Sequence, residues 1–481
     1  RRFQGAFFTP SLWVEEAHTE VAKALGENWR EECIVWDCAA GTANMTRDYD
    51  WGELISSTAE KPDVTAMKAQ GWGGKHVFQY DFLNHGEESP FFEEGQQNLL
   101  PHPVHQALTE AAAAGKRLVF FMNPPYGTAG IYRTYETDKE QERSTLRSGI
   151  AKTAVNGKMR EEKLGAPSQQ LYAQFMYRCD QLSREYGFGG STIALFSVPT
   201  FMSSGSYKKF RDWWYAQRSH VGGFLFRASH FSGVSGRWGV AFTVWDSGGT
   251  TDSTAVLPLR LTTEKNFGVV TEGIKQVYNS DGKQASKWVR DAGGKLKGSP
   301  VPQLSSGLRA VEGGTCTLPG GSFGFMADKG NCLMYSNDET YLLSSGSSRN
   351  RGFATGAGNW RQAMALFGAR KLVGETWATQ KDEYLAPDET LPLYNEWVND
   401  CHIYALIHRH NNGTAMRRVP YASKLWRIKN HWFWLTQAEA EALLDSVATP
   451  NCWRDCKKER AGDPYLSTLR ENGSLNLSPD A

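Results

Sequence analysis

The chain has 481 residues, of which 40% are hydrophobic and 22% are charged, and its formal net charge is +1. This length exceeds what one hydrophobic core usually organises, so two or three domains are expected. No apolar run approaches the roughly 20 residues that cross a bilayer, and no signal peptide opens the chain, so we expect a cytoplasmic protein with no membrane partner. The eight cysteines are too sparse for a disulfide scaffold and lack the paired spacing of a zinc site, so no metal is expected.

Short apolar segments alternate with longer helical patterns from about residue 7 to residue 246. Strands are predicted at ECIVWD, GELISS, HVFQYD, RLVFFM, STIALFSV and VAFTVW. Helices are predicted at PSLWVEEAHTEVAKALGENW and SQQLYAQFMYRCDQLSREYG. This alternation indicates an α/β fold with a doubly wound, mostly parallel sheet.

Changes in composition divide the chain into four predicted regions. Residues 1–262 are predicted to form a first domain, interrupted at 128–166 by a charged segment that we interpret as a mobile loop. A linker at 263–300, a second domain at 301–435 and a helical tail at 436–481 follow. The second domain is predicted to mix helices and strands, because short apolar runs, aromatic residues and turn signals continue through it.

The segment RLVFFMNPPYGTAG, residues 117–130, places an asparagine, two prolines and a tyrosine directly after a predicted buried strand. Pro124 and Pro125 have no backbone N–H to donate, so the strand should end before them. Ligands of open α/β sheets bind beyond the carboxyl ends of the strands. Asn123 and Tyr126 are therefore predicted to lie at a binding site.

Three other predicted strands also end in residues that suit a ligand. The first runs into VWDCAAGTAN, where Asp37, Ala39 and Gly41 belong to a turn of small residues that lets a ligand approach the backbone. A plain strand-to-helix turn is the alternative. The second strand ends near Glu60, a carboxylate suited to ribose hydroxyls, with Asp63 as a competitor for that role. After the third strand, Asp81 is predicted to accept a hydrogen bond from an adenine amino group and Phe82 to pack on the ring.

The motif NPPY, preceded by a DxAxGxAN strand and turn, resembles the amino-group DNA methyltransferases that use S-adenosylmethionine. The upstream GAFFTP, residues 5–10, looks like the additional cofactor-binding motif of the gamma class of adenine-N6 enzymes. In that class the order is the FTP segment, the cofactor turn, NPPY and a target-recognition domain, and this chain follows it. By motif, the resemblance covers about residues 5–250.

The resemblance implies a class I methyltransferase (Rossmann-like) sheet followed by a target-recognition domain. It also implies S-adenosylmethionine as cofactor, double-stranded DNA as partner, and restriction or defence proteins as further partners. The cofactor residues it implies are Phe8, Thr9, Pro10, Asp37, Ala39, Gly41, Glu60, Asp81 and Phe82. Ala43 departs from the family pattern, because a glycine is more usual there.

The residue types fit methyl transfer to an exocyclic amine. The lone pair of an adenine amine is delocalised into the ring, so the resemblance implies that the Asn123 side-chain oxygen and the Pro124 carbonyl accept its two N–H bonds. Catalytic roles are accordingly assigned to Asn123, Pro124, Pro125 and Tyr126, with Tyr126 stacking on the flipped base. Trp238, with Phe231 second, is the candidate for the opposite face of the base.

Target reading is assigned to the second domain. Arg349, Arg351 and Arg361 lie among glycines that could let a loop follow a groove. Further candidates there are Arg370, Lys371, Asn359 and Gln362. Four alternatives stay open: a cytosine-N4 methyltransferase, in which a serine often replaces the asparagine, a protein-glutamine methyltransferase, the methyltransferase part of a fused restriction enzyme, and a non-catalytic DNA-specificity module.

Overall fold

The computed structural model describes residues 8–126, 153–294, 301–302, 317–328, 330–335, 340–343, 352–372, 374–407 and 416–428. The chain divides into two compact units. Unit 1 comprises Arg1–Asn279 with Thr376–Lys381, and unit 2 comprises Ser280–Glu375 with Asp382–Ala481.

In the described part of unit 1, nine strands form one sheet. They are β1 (Ile34–Asp37), β2 (Glu53–Thr58), β3 (His76–Gln79), β4 (Leu118–Met122), β5 (Ser191–Ser197), β6 (Ser219–Arg227), β7 (Gly239–Asp246), β8 (Leu257–Lys265) and β9 (Gly268–Val277). The helices of this unit are α1 (Ser11–Leu25), α2 (Trp29–Glu32), α3 (Lys61–Gln70), α4 (His102–Ala113), α5 (Ala154–Glu161), α6 (Leu171–Glu185), α7 (Thr200–Ser203) and α8 (Lys208–Tyr215).

The strands lie in the order β3-β2-β1-β4-β5-β7-β6-β8-β9. Strands β1 to β5 are parallel, β7 is antiparallel to both β5 and β6, and β8 is parallel to β6. The carboxyl ends of β1 to β6 and of β8 therefore lie at one edge of the sheet, which we call the carboxyl edge. The Rossmann-like mixed α/β sheet predicted from the sequence is confirmed.

Both faces of this sheet are buried, and alternate residues along a strand belong to the cores on opposite faces. In β4, Val119 and Phe121 belong to a core cluster with Trp13 of α1, while Phe120 and Met122 belong to the cluster on the other face. That second cluster also contains apolar residues of α4, α5, α6 and α8. Helices on both faces explain why β4 is apolar at every position, as a doubly buried strand must be.

The region predicted as a linker begins with an ordered hairpin. Strand β8 already extends past residue 262, and β9 is antiparallel to it in the same sheet. The two strands are joined at Asn266 and Phe267, both of which have positive φ (52° and 62°), as in a two-residue turn of type I′. The sequence prediction missed this turn because it lacks the usual Asn-Gly or Asp-Gly pair.

Part of the segment predicted as a mobile loop is helical. The Thr153 hydroxyl accepts a hydrogen bond from the Asn156 N–H at the start of α5, a normal helix N-cap. Val155 and Met159 of this helix are buried in the core. The sequence did not predict this helix because charged residues surround its few apolar positions. Residues 128–152 of the predicted loop lie outside the described residues.

Unit 2 mixes helices with short antiparallel strands, as predicted for the second domain. Its described strands are β10 (Val301–Pro302), β11 (Thr317–Leu318), β12 (Ser322–Ala327), β13 (Tyr341–Leu343), β14 (Gly352–Gly356), β15 (Met416–Tyr421) and β16 (Lys424–Ile428). Its described helices are α9 (Ala285–Gly293), α10 (Trp360–Leu372) and α11 (Tyr394–Ile407). A core of residues from α9, α10, α11 and the β13-β12-β14 sheet holds this unit together. The predicted tail, 436–481, lies outside the described residues.

Candidate active site

The sheet reverses its strand order between β1 and β4. From β1 the chain continues through β2 and β3 on one side, whereas β4 and β5 lie on the other side. Such a switch point leaves a crevice at the carboxyl edge, where ligands of doubly wound sheets bind. Asp37 is the last residue of β1, and Asn123 directly follows β4. The two candidates therefore lie on the adjacent strands that flank this crevice.

Hydrogen bonds hold the Asn123 side chain at both ends. Its amide nitrogen donates to the Thr9 hydroxyl (2.9 Å), and its oxygen accepts from the Tyr126 hydroxyl (2.8 Å). Thr9 is buried. Burial also raises the pKa of the Tyr126 hydroxyl well above its ordinary value, so this group is a donor at neutral pH. The upstream FTP segment and the NPPY segment are thus in direct contact, although Thr9 and Asn123 are 114 residues apart.

Helix α1 fixes the position of Thr9. The helix begins directly after Pro10, whose carbonyl accepts hydrogen bonds from the first turn. Trp13 stacks on Phe226 of β6, with ring centroids 4.1 Å apart. Phe8, by contrast, is 56% exposed.

An ion-pair cluster that the sequence analysis missed also anchors α1. The Arg260 guanidinium on β8 donates to the carboxylates of Glu16 (2.5 Å) and Glu20 (2.6 Å) on α1. Charge-assisted hydrogen bonds of this kind are stronger than neutral ones. Glu16 and Glu20 share one helical face by their spacing, but no local signal in the sequence connects them with Arg260.

Three aromatic candidates come together beside Asn123. The Tyr126 ring meets Phe231 and Trp238 edge-on, with centroids 6.4 Å and 6.5 Å away. Phe231 is fully buried, so its ring presents no free face to a base, whereas Trp238 is only half-buried. Of these two rings, that of Trp238 is therefore the accessible one.

The turn after β1 combines a buried carboxylate with open backbone. Asp37 is fully buried; one carboxylate oxygen accepts from the Ala39 N–H (3.2 Å), and the other has no partner among the described residues. Burial raises the pKa of Asp37 to about 7. At Gly41, with φ +54°, an added Cβ would meet only open space. Ala43 has a similar φ of 60°, and its methyl group packs in a small buried cluster with Ala40, Val64 and Met67.

Two cofactor candidates have structural partners instead. The Asp81 carboxylate accepts hydrogen bonds from Leu83, Asn84 and Ser89, which fix the loop after β3. Phe82 is buried and stacks on Phe175 at a centroid distance of 5.2 Å. This structure therefore gives Phe82 a role in the core.

Glu60 keeps the position predicted for it. It follows β2 at the carboxyl edge, directly precedes α3, and is half-buried. Its competitor Asp63 lies within the first turn of α3 and is buried. Of the two, Glu60 is the better placed to meet a ligand at this edge.

The candidates of unit 2 separate into structural and accessible residues. Arg370 is fully buried and pairs with Asp328 (3.1 Å), so it is not available to a phosphate. Asn359 is also buried and bonds to the backbone at both ends of its amide. Arg361 is exposed, with its guanidinium 5.3 Å from the centre of the Trp360 ring. Arg349 and Arg351 lie outside the described residues.

Within the part of the chain that the structure describes, no cluster of three or more histidine, cysteine, aspartate or glutamate side chains is arranged to hold a metal ion. No helix in the same part is long and apolar enough to cross a membrane.

Replacing Asp37 should change how stability depends on pH. The folded-state pKa of about 7 lies above the ordinary 3.8, so the folded protein binds the proton more tightly and Asp37 costs stability as the pH rises from about 4 to about 7. At about 1.4 kcal/mol per pKa unit, the upper limit of this cost is about 4 kcal/mol. We expect Asp37→Asn to remove this cost. The unfolding free energy of the variant minus that of the wild type should therefore increase between pH 4 and pH 8.

Urea unfolding of both proteins at several pH values measures this effect. His18 and His220, with pKa values lowered by burial to about 4, cost stability at low pH, and this cost disappears as the pH rises from about 4 to about 6.5. Because both proteins contain them, the difference between the two curves isolates Asp37. A difference that stays constant with pH would contradict the assignment.

Comparison with known proteins finds only distant similarity. No protein-family model matches the chain, and no curated protein sequence matches it. Solved structures with local similarity include a DrdV–DNA complex (13% identity, TM-score 0.35, 54% of this chain and 28% of that one). They also include a type I restriction-modification methyltransferase subunit from Streptococcus thermophilus (13%, 0.30, 55% and 50%). A third is the type IIG restriction endonuclease BpuSI (13%, 0.31, 56% and 31%).

The matched regions span 28–50% of the length of those three chains. With identities of 13% and TM-scores of 0.35 or less, these similarities say nothing about the substrate of this chain. Its function has to be inferred from its own residues.

Proposed function

We propose that this chain transfers a methyl group from S-adenosylmethionine to the exocyclic N6 of an adenine flipped out of duplex DNA. The observation that carries the proposal is the Asn123 amide at the switch point of the sheet, held by Thr9 on one side and Tyr126 on the other. A side chain fixed in this way is oriented before a substrate arrives, which is how positioning lowers a reaction barrier.

The Asn123 amide carries the kind of acceptor that a substrate amine needs. Its side-chain oxygen, which the Tyr126 hydroxyl orients, would accept one N–H of the adenine amine. The Pro124 carbonyl accepts the second N–H, with the proline ring restricting the backbone angle. Two acceptors on the two N–H bonds favour a pyramidal nitrogen, whose lone pair is then free to attack.

The residues around the β1 turn fit a cofactor of this class. Asp37 has a buried carboxylate oxygen without a partner among the described residues, which a ligand with N–H or O–H groups would satisfy. Gly41 faces open space, and Thr9 lies at the same edge through its bond to Asn123. Thr9, Asp37, Gly41 and Glu60 are the residues that would hold it. When bound, S-adenosylmethionine supplies a methyl group activated by a positively charged sulfonium.

Aromatic residues beside Asn123 would hold the flipped base. Stacking on an aromatic side chain is worth about 1–3 kcal/mol per base, comparable with the few kcal/mol that flipping costs. Tyr126 and the half-buried Trp238 meet nearly at right angles, so they would contact the base from different directions. Trp238 is therefore assigned to substrate binding with Tyr126.

Mass spectrometry of nucleosides tests the proposal directly. Mixed-sequence duplex DNA is incubated with the protein and S-adenosylmethionine, digested and analysed, with Asn123→Ala treated in parallel. N6-methyladenine formed only by the wild type is the expected result. N4-methylcytosine would replace adenine by cytosine as substrate, and the absence of any methylated base despite cofactor binding would leave a DNA-specificity module.

A further inference from the structure

The β8–β9 hairpin extends beyond the carboxyl edge of the sheet. The register pairs Leu225 of β6 with Leu261 of β8. Strand β6 ends at Arg227, two residues further, whereas β8 continues to Lys265 and then turns. At about 3.4 Å per residue, the turn stands roughly 10 Å past the end of β6. Because β8 is parallel to β6, the hairpin projects on the same side of the sheet as Asn123.

The tip of this hairpin is costly for the fold. Phe267 has a φ of 62° and is 97% exposed. An aromatic residue is unfavourable in the left-handed region, where glycine is preferred, and an exposed ring gains nothing from burial. Backbone strain at a side chain that makes no compensating packing contribution indicates a functional contact.

Three exposed cations lie along the same edge, one of which, Arg227, has its guanidinium 5.9 Å from the centre of the Trp377 ring. Arg227 ends β6, Arg237 belongs to the loop between β6 and β7, and Lys265 ends β8; all three are exposed. Among the described residues, no carboxylate forms an ion pair with any of them. The nearby Glu264 carboxylate lies 3.5 Å from the His230 ring nitrogen Nδ1. Between residues 261 and 277 of the hairpin, the other acidic residue is Glu272 on β9.

This edge is continuous with the candidate active site. Phe231 and Trp238, which meet the Tyr126 ring, belong to the loop that carries Arg237. His230 of the same loop contacts Glu264 on β8 through the pair described above. A contact surface therefore runs from Tyr126 through the β6–β7 loop to the hairpin tip.

We propose that Arg227, Arg237, Lys265 and Phe267 form a DNA-binding edge of unit 1, which contacts the duplex beside the flipped adenine. The three cations bind phosphates, which positions the duplex without reading its sequence. Phe267 makes an apolar contact in a groove, as inserted side chains of other DNA-binding proteins do. This inference rests on the proposed function for its choice of DNA as partner, and it assigns DNA contacts to the catalytic unit.

The salt dependence of DNA binding tests the cations. A fluorescent mixed-sequence duplex is titrated with wild type and with the Arg237→Ala/Lys265→Ala double variant at several salt concentrations. Each phosphate contact contributes about 0.9 to the slope of log Kobs against log salt, so the slope should become shallower by about 1.8. The matched control is Lys68→Ala/Lys116→Ala, which removes two exposed lysines, one in the last turn of α3 and one two residues before β4, at the opposite edge. The control should keep the wild-type slope.

Phe267→Gly separates a DNA contact from a structural role. Glycine adopts positive φ without strain, so the variant should match or exceed the wild-type Tm. Its affinity for the same duplex should fall about tenfold, as for the loss of one contact between an aromatic ring and a base. Unchanged affinity would overturn the role of Phe267.

The outcomes distinguish a failure of the DNA-binding edge from a failure of the proposed function. A double variant that binds DNA with the wild-type slope would overturn the DNA-binding edge, while N6-methyladenine formation by the wild type would keep the function. A wild type that neither binds the duplex nor methylates it would overturn both.

Discussion

Asn123→Ala is expected to abolish methyl transfer to DNA while affinity for S-adenosylmethionine stays within a few fold of the wild type. The substitution removes the oxygen that would accept an adenine N–H, and with it the anchor for the Tyr126 hydroxyl. Loss of one preoriented electrostatic contact typically lowers kcat by about 100- to 1,000-fold. Transfer of radiolabelled methyl groups to DNA measures turnover, and calorimetric titration measures cofactor binding.

Gln79→Ala is the matched control for this experiment. Gln79 is also an amide at the carboxyl edge, but it donates to the backbone carbonyls of Ala59 and Phe91. We expect the control to lower Tm and to retain turnover. If both variants lost turnover equally, the effect of Asn123→Ala would reflect general damage to this edge. Wild-type turnover by Asn123→Ala would contradict the assignment.

Tyr126→Ala is expected to weaken capture of the flipped base by about 5- to 150-fold, which is the loss of about 1–3 kcal/mol of stacking. Fluorescence of 2-aminopurine at the target position, which rises when the base leaves the stack, measures this capture. Cofactor affinity should change less than base capture, because the ring contacts Phe231 and Trp238 at the proposed base site.

Tyr126→Phe distinguishes the ring from the hydroxyl. It keeps the stacking surface and removes only the hydrogen bond to Asn123, worth about 0.5–1.5 kcal/mol. We therefore expect near-normal 2-aminopurine fluorescence with a kcat about tenfold lower, because Asn123 is less well oriented. Equal fluorescence from the alanine variant and the wild type would refute the stacking role.

The strands that the sequence predicted are those with continuous apolar runs. Strands β1, β3, β4 and β5 lie within predicted segments, and β2 and β7 extend past theirs by no more than one residue at either end. Strand β6 was missed because Gly222 and Gly223 look like strand breakers. Close packing requires the second of them: a Cβ at Gly223 would lie 2.4 Å from the Phe242 carbonyl, and one at Gly222 would lie 2.7 Å from the Glu20 carboxylate, which would have to move. Such contacts depend on residues far away in the sequence.

Motifs predicted the edge of the sheet but not the direction of each side chain. Asn123, Tyr126 and Thr9 come together as their motifs suggested. Phe82 and Phe231 are just as close to strand ends in the sequence, yet both are buried. Whether an aromatic residue faces a ligand or the core depends on the neighbouring helices and loops, which one sequence pattern does not specify.

The pairing of α1 with late strands has a consequence for biosynthesis. Trp13 packs on Phe226, and Arg260 leaves the ribosome 240 residues after its partner Glu20. At about 5–20 residues per second, α1 waits about 12–50 s for this partner. Helix α1 therefore completes its packing only after β6 and β8 have been synthesised, and nascent chains that stop before β6 should expose Trp13 to chaperones and proteases.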